Sequence, residues 1–212
     1  MPTLTSDIGA TRVAKSKTSE VIKLKNVRGS FLRLFKAKAF QAGQDARYEA
    51  TFLLDPTNAE HAAAIAQIKD EAKKLIAAVW GEKPPGLKLC FGMADNDEMK
   101  AKYEGYKGMF YITTAQPEKN GRVGVYGRQR QPVVEGDKEA PYSGCYLNTN
   151  ITLWTQDNTF GKAIRANLRI VQFAKDGPAF SGAAPARAED ELEALEDKTP
   201  AGVAASDGFD DL

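Results

Sequence analysis

Hydrophobic and polar positions change their period several times along the 212 residues of this chain. Up to about Thr18 the residues are small, polar and basic with no apolar period, which predicts a loose arm over 1–18. From Ser19, Ile22 and Leu24 alternate with Val21, Lys23 and Lys25, the pattern of a strand with one apolar face. Gly29-Ser30 reads as a turn or a kink before Phe31–Lys36 resumes the strand, and Tyr48–Leu54 predicts another that stops at Asp55-Pro56. The period then becomes helical from Asn58 to about Val79. Ile65, Ile68, Ala72, Leu75, Ile76 and Val79 form one stripe, Thr57 and Glu60 stand in capping-box register, and Gly81 marks the stop. Asp70 and Lys74 are expected to pair on the wet side. Beyond the helix, Met109–Thr114, Arg122–Arg130, Ser143–Thr155 and Lys162–Ala174 are candidate strands, separated by Gly, Pro, Asn and Asp clusters. Many short strands with one packed helix predict a mainly β, OB-like small barrel, the helix closing one end.

The strands differ in what their second faces carry. In Ser143–Thr155 one face reads Cys145, Leu147, Thr149, Ile151, Leu153, a core face; the other reads Tyr146, Asn148, Asn150, Thr152, Trp154. Two aromatics spaced by amides and a hydroxyl make a poor core but a platform on which bases can stack, at about 1–3 kcal/mol each. Arg122, Gly124, Tyr126, Arg128 and Arg130 alternate onto one side of the next candidate, opposite Val123 and Val125. Its flanking glycines suggest a hairpin whose arginines neutralise phosphate. Arg165, Asn167 and Arg169 are expected opposite Ile164, Leu168 and Ile170, and Lys23, Lys25, Arg28 and Arg33 add charge along the first strands. One sign of charge across four strands predicts a groove for a polyanion.

Net charge is only +1, but it is unevenly distributed. Residues 183–212 hold nine acidic groups against two basic ones, which leaves 27 basic against 19 acidic in the body. The body is thus +8 and the tail −7, and Arg12–Arg47 alone carries ten basic residues against Glu20 and Asp45. Such polarity suits a polyanion-binding surface with an internal competitor. Low in strand-formers and rich in Ala, Pro, Glu and Asp, the tail is expected to be disordered, with a transient helix at most over Glu189–Leu195. Cys90 and Cys145 form no CxxC pair and suit a reducing compartment. Met1–Ala10 has no leader pattern, and no apolar run approaches the ~18 residues that span a bilayer.

Catalytic constellations are thin. The single histidine, His61, falls in the first helical turn and is expected to be exposed; no Zn ligand set, Walker A sequence or GxGxxG exists. Asp95-Asn96-Asp97-Glu98 fails as an EF-hand, with Met99 and Lys100 at the fifth and sixth positions. Asp95, Asp97 and Glu98 could still hold the metals of a nuclease, the enzymatic alternative. The leading expectation is a non-enzymatic protein with no metal or cofactor.

Tyr106-Lys107-Gly108 leading into Met109–Thr114, then Tyr142-Ser143-Gly144-Cys145-Tyr146, Gly161, and Leu168 to Gln172 with Asp176-Gly177 beyond, resemble a family of bacteriophage single-stranded DNA-binding proteins. The family was first described as a domain of unknown function and has an OB-fold. The likeness runs from about Val21 to Gly182, giving an arm (1–18), a binding domain (19–182) and a tail (183–212). It implies a protein that coats single strands in phage replication or recombination, in the host cytoplasm. A strand-annealing recombination protein is the nearest alternative, and a protein-docking module is another. The end Asp207-Gly208-Phe209-Asp210-Asp211-Leu212 is similar in design to the partner-docking tails of replication single-strand binders, except that Phe209 stands three residues before the terminus. Asp207, Phe209, Asp210, Asp211 and Leu212 are the candidate docking residues.

Overall fold

Eight strands and one α-helix order the described residues: β1 (Ile22–Lys38), β2 (Arg47–Leu54), α1 (Ala59–Trp80), β3 (Lys88–Leu89), β4 (Phe91–Met93), β5 (Phe110–Pro117), β6 (Gly124–Tyr126), β7 (Tyr146–Asn158) and β8 (Gly161–Lys175). They are taken from a computed structural model that describes residues 16–180, apart from positions 40, 42 and 104. Most of the predicted arm and all of the acidic tail, including the docking candidates, lie outside the described residues.

The predicted break at Gly29-Ser30 is a bend inside one long strand. β1 pairs with β7 from Ile22 to Arg28 and with β2 from Arg28 to Lys38. Its registers slip between Leu24 and Val27, between Ser30 and Arg33 and between Arg33 and Lys38; within the first two slips Asn26 and Phe31 take positive φ, 51° and 50°. Such bulges sharpen twist and bend a strand, which carries β1 from one half of the sheet to the other. Gly29 sits at the crossing, where a Cβ would come within 2.7 Å of the Leu147 side chain. β2 continues to β5 and β7 pairs with β8, both antiparallel, and a parallel contact between Ala115 and Asn167 closes the ring β1-β2-β5-β8-β7. This is the predicted mainly β barrel of OB type, with one α-helix among the described residues.

Period-two alternation fills the barrel: Ile22, Leu24, Phe52, Leu54, Ile112, Leu147, Ile151, Leu168 and Phe173 are all buried. Each such side chain stabilises the fold by about 1.5–3 kcal/mol through burial. α1 lays Ile65, Ile68, Ala72 and Leu75 against this core, beside β1 and β7. Its start differs from the expected capping box. Asn58 is the N-cap, its side chain accepting from the Glu60 and His61 amides, while the Thr57 hydroxyl bonds Asp55. Gly81 ends the helix as expected, its amide bonded to Ala77. The pairs that form are Asp70–Lys73 on the wet side and buried Glu71 with exposed Lys74, in place of the expected Asp70–Lys74. His61 is buried where exposure was expected. Its Nδ1 accepts from the Asp55 amide at 3.0 Å and its Nε2 lies 3.2 Å from the Lys25 carbonyl, so the ring ties the helix start to β1.

A smaller apolar cluster lies outside the barrel. Leu53 and Tyr111 on β2 and β5 are covered by Ala94 and Tyr106 from the connection between β4 and β5. No helix among the described residues is long and apolar enough to cross a membrane.

Candidate nucleic-acid interface

The predicted platform on β7 forms. Tyr146, Asn148, Asn150 and Trp154 are half-buried and alternate with buried Leu147, Thr149, Ile151 and Leu153. Thr152 departs from the pattern at 4% exposure, beneath Asn167. Next to the platform, β6 runs parallel to β8, with Gly124, Val125 and Tyr126 in register with Ile170, Val171 and Gln172. The chain returns through Pro132 and Val133, so a hairpin exists, but its arms meet through the Tyr126–Pro132 bridge and the Val133 amide donating to the Val125 carbonyl, and its tip is Gly127–Gln131. Within the tip the Gly127 amide donates to the Gln131 carbonyl at 2.9 Å, and Arg130 turns the corner at φ 64°.

A row of amides fixes the tip over the sheet. The Asn26 amide donates to Asn148 Oδ1 (2.9 Å), Asn148 Nδ2 to Gln172 Oε1 (3.2 Å), and Gln172 Nε2 to the carbonyls of Gly127 (3.3 Å) and Arg128 (3.1 Å). Between hairpin and sheet lies an open groove of about 340 Å³, lined by Tyr126, Arg130, Asn148, Asn150, Ile170 and Gln172. None of its lining side chains is acidic, and Arg130 makes no ion pair among the described residues. Lys23 stands opposite Asn150 on β1 and is exposed, which adds a cation to the rim.

Ile170 was expected in the core opposite Arg169. A bulge between the Asn150–Ile170 and Ile151–Leu168 pairs leaves Arg169 without a cross-strand partner and turns Ile170 outward, 36% exposed, onto the groove floor. Gln172, the central link of the amide row, and Lys175, whose Nζ sits 4.5 Å from the Tyr146 ring centroid, were not singled out in the sequence. A pattern signal existed for Gln172, because it shares the outward alternation that Asn148 begins on the neighbouring strand.

Several predicted cations are committed elsewhere. Arg128 pairs with Glu139 at 2.6 Å; Glu139 also accepts from the Arg128 amide and from Gln131, and the Arg128 hydrogen bonds hold its carboxyl below the usual range. Arg33 pairs with Glu49 on β2, which Arg47 also contacts. Arg28 donates to the carbonyls of Gly144 (3.2 Å) and Pro178 (2.7 Å) and lies 4.0 Å from the Phe180 ring centroid. It thereby straps residues 176–180 across Tyr142-Ser143-Gly144. Lys25 pairs with Glu60 at 3.3 Å, both well exposed, a contact that contributes little and leaves the ammonium available. Arg122 is exposed on the approach to β6. Trp154 faces Arg165, whose Nε donates to Gln156, at the other end of the platform. Four residues of strand put Trp154 about 13 Å beyond Asn150, outside the groove.

Two of the three nuclease carboxylates are also engaged, and Glu98 is exposed. Asp95 accepts from the Gly108 amide, and Asp97 accepts from the Met99 and Lys100 amides and from the Tyr111 hydroxyl at 2.9 Å. Burial pushes the Tyr111 hydroxyl, next to this carboxylate, up to about 12. Among the described residues no three His, Cys, Asp or Glu side chains gather to hold a metal. Cys90 is a buried thiol pushed up to about 12 by burial, unsuited to act as a nucleophile.

Residues 20–201 match the profile of a family described as the single-stranded DNA-binding protein of Enterobacter phage Enc34. The chain belongs to this family. Protein p50 of Acyrthosiphon pisum secondary endosymbiont phage 1 is 33% identical over 177 residues, covering 80% of this chain and 91% of that one. The Enc34 single-stranded DNA-binding protein, solved in complex with single-stranded DNA, is 26% identical with a TM-score of 0.66, over 76% of this chain and 89% of that one. Its C-terminally truncated form gives 25% and 0.63, over 76% and 88%. The Tyr142-Ser143-Gly144-Cys145 element has a physical reading here. Gly144 takes φ 113°, and a Cβ there would lie 2.3 Å from the Pro178 carbonyl, so only glycine lets the strap pass.

Proposed function

We propose that this protein binds single-stranded DNA with little sequence preference, in the groove between the β6 hairpin and the β7–β8 platform. The observation that carries the reading is the composition of that groove. The half-buried Tyr126 ring, Arg130 with no ion pair among the described residues, and a floor of amides and Ile170 face the same space, with no carboxylate in the lining. Tyr126 and Tyr146 offer faces to bases, Arg130 and Lys23 neutralise phosphate, and the amides reach sugar, phosphate or base edges without reading one base. Family membership supports this reading, as does the structural neighbour solved with single-stranded DNA.

In this reading the protein coats single strands during phage replication or recombination in the host cytoplasm. The −7 charge of residues 183–212 competes with DNA for the basic body, and Asp207, Phe209, Asp210, Asp211 and Leu212 dock a replication or recombination partner. Fluorescence anisotropy with labelled oligo-dT and a duplex of equal length, at about 50 and about 200 mM salt, tests it. Tighter binding to the single strand, weakening steeply with salt, is expected. Equal affinity for both forms, or none for either at low salt, would overturn it.

A further inference from the structure

Phe31 is an unusual residue to find at a strand bulge. It takes φ 50°, a conformation that bulky side chains rarely adopt, and the residue is 49% exposed. Strain of this kind persists where the surroundings impose it and collects at ligand-binding positions. The ring does not stand alone. Tyr103 meets it edge to face at 4.9 Å, and buried Tyr106 supports both, at 6.4 Å from Phe31 and 5.4 Å from Tyr103. Lys100 Nζ lies 5.8, 5.6 and 5.4 Å from the ring centroids of Phe31, Tyr103 and Tyr111, within reach of all three. Exposed Lys102 and Lys107 follow on the same connection. Of its four carboxylates, Asp95 and Asp97 accept hydrogen bonds, Glu98 is exposed, and Glu104 lies outside the described residues. Two rings exposed beside lysines match the chemistry of stacked bases linked by phosphates.

The patch is also continuous with the groove. The outward side of β1 carries Lys23 at the groove rim and Arg28 in register with Tyr146, and then reaches Phe31. Along this path rings and cations alternate. Tyr146 lies under Lys175, Arg28 lies against Phe180, and the Phe180 ring packs where a Cβ on Gly105, between Tyr103 and Tyr106, would sit. Eight residues of strand from Lys23 to Phe31 measure roughly 26 Å, a length within a site of ~4–16 nucleotides on an OB-fold.

We propose that Phe31, Tyr103 and Lys100 form a second stacking contact for the same single strand, which leaves the groove past Tyr146 and Arg28 and crosses β1 onto this patch. The proposal rests on the single-strand reading above, and the test separates the two. Anisotropy is measured for the full chain and for a Phe31→Asn, Tyr103→Ser variant, with oligo-dT of about 5 and about 15 nucleotides, bracketing the site size. Asn tolerates positive φ, so the bulge is retained, and thermal melting checks the fold. The wild type binds the longer oligomer more tightly. The variant loses on the order of 5–150-fold for the longer oligomer and much less for the shorter one. Lys100→Gln, whose rings remain, makes the slope of log K against log salt shallower by about 0.7 on the longer oligomer. A folded double variant that binds the longer oligomer as tightly as wild type overturns the proposal and leaves the patch to a protein partner. An unchanged salt slope in Lys100→Gln also counts against it. Wild type that binds neither oligomer at low salt overturns the single-strand reading, and this proposal with it.

Discussion

Arg128 and Arg130 are two residues apart on one hairpin tip, yet the structure predicts that only one of them matters for affinity. Arg130 reaches the groove with no carboxylate partner among the described residues, whereas Arg128 is held by Glu139 at 2.6 Å. Replacing Arg130 with Gln keeps a long polar side chain at the φ 64° corner and removes one charge from the groove. Each lost phosphate contact with a single strand makes the slope of log K against log salt shallower by about 0.7. Raising salt from about 50 to about 200 mM should therefore weaken Arg130→Gln about 2.6-fold less than wild type. Arg128→Gln should leave the slope within error, because the charge it removes is already neutralised by Glu139. Anisotropy titrations of labelled oligo-dT at four salt concentrations give both slopes in one experiment. Equal changes in the two variants, or a change only in Arg128→Gln, would refute the assignment of Arg130 as the groove cation.

Tyr126→Ala and Tyr146→Ala should each weaken oligo-dT binding by about 1–3 kcal/mol at fixed salt with melting temperatures close to wild type, read by anisotropy beside a melting curve. Trp154→Phe should change affinity less than twofold, since Trp154 lies about 13 Å along the strand from Asn150. His61→Ala leaves the Asp55 amide and the Lys25 carbonyl without their partner, and calorimetry should show a loss of about 2 kcal/mol and a melting temperature lower by about 4–8 °C. The Glu139 carboxyl is depressed by its bonds to Arg128, so its contribution is present above the ordinary carboxylate range and is lost as pH falls through its lowered value. Protection factors at Gly127–Gln131, that is exchange relative to the intrinsic rate at each pH, should accordingly fall in acid for wild type, and Glu139→Gln should show low protection already at neutral pH.

The parts of the fold that were legible are those where one local period decides the outcome. Ser143–Thr155 alternates in its sequence, and its structure follows except at buried Thr152; of the predicted helix stripe, Ile65, Ile68, Ala72 and Leu75 are buried on α1 and Ile76 and Val79 half-buried. Local reading failed where a single bulge resets the alternation, as at Arg169-Ile170, because nothing in the residues marks which of two neighbours is left unpaired. It failed again for the cations. Arg28, Arg33 and Arg128 look alike in the sequence, but each is committed to a partner that only the fold brings near: the Pro178 carbonyl, Glu49 and Glu139. His61 was misread for the same reason, since its burial depends on Lys25 of β1 arriving beside the helix start. The exposed ring of Phe31 was hidden by its position. An apolar residue inside a strand pattern reads as core until a bulge turns it outward.

The central claim, that a single strand lies in the groove between the β6 hairpin and the β7–β8 platform, is tested most directly by photocrosslinking. The full chain is irradiated with an oligonucleotide carrying a photoreactive pyrimidine, and the adducts are located by mass spectrometry. The account predicts adducts on Tyr126 or Tyr146, lost when unlabelled oligo-dT competes. Competed adducts confined to the solvent face of α1, with none on the β6 hairpin or β7, would contradict it.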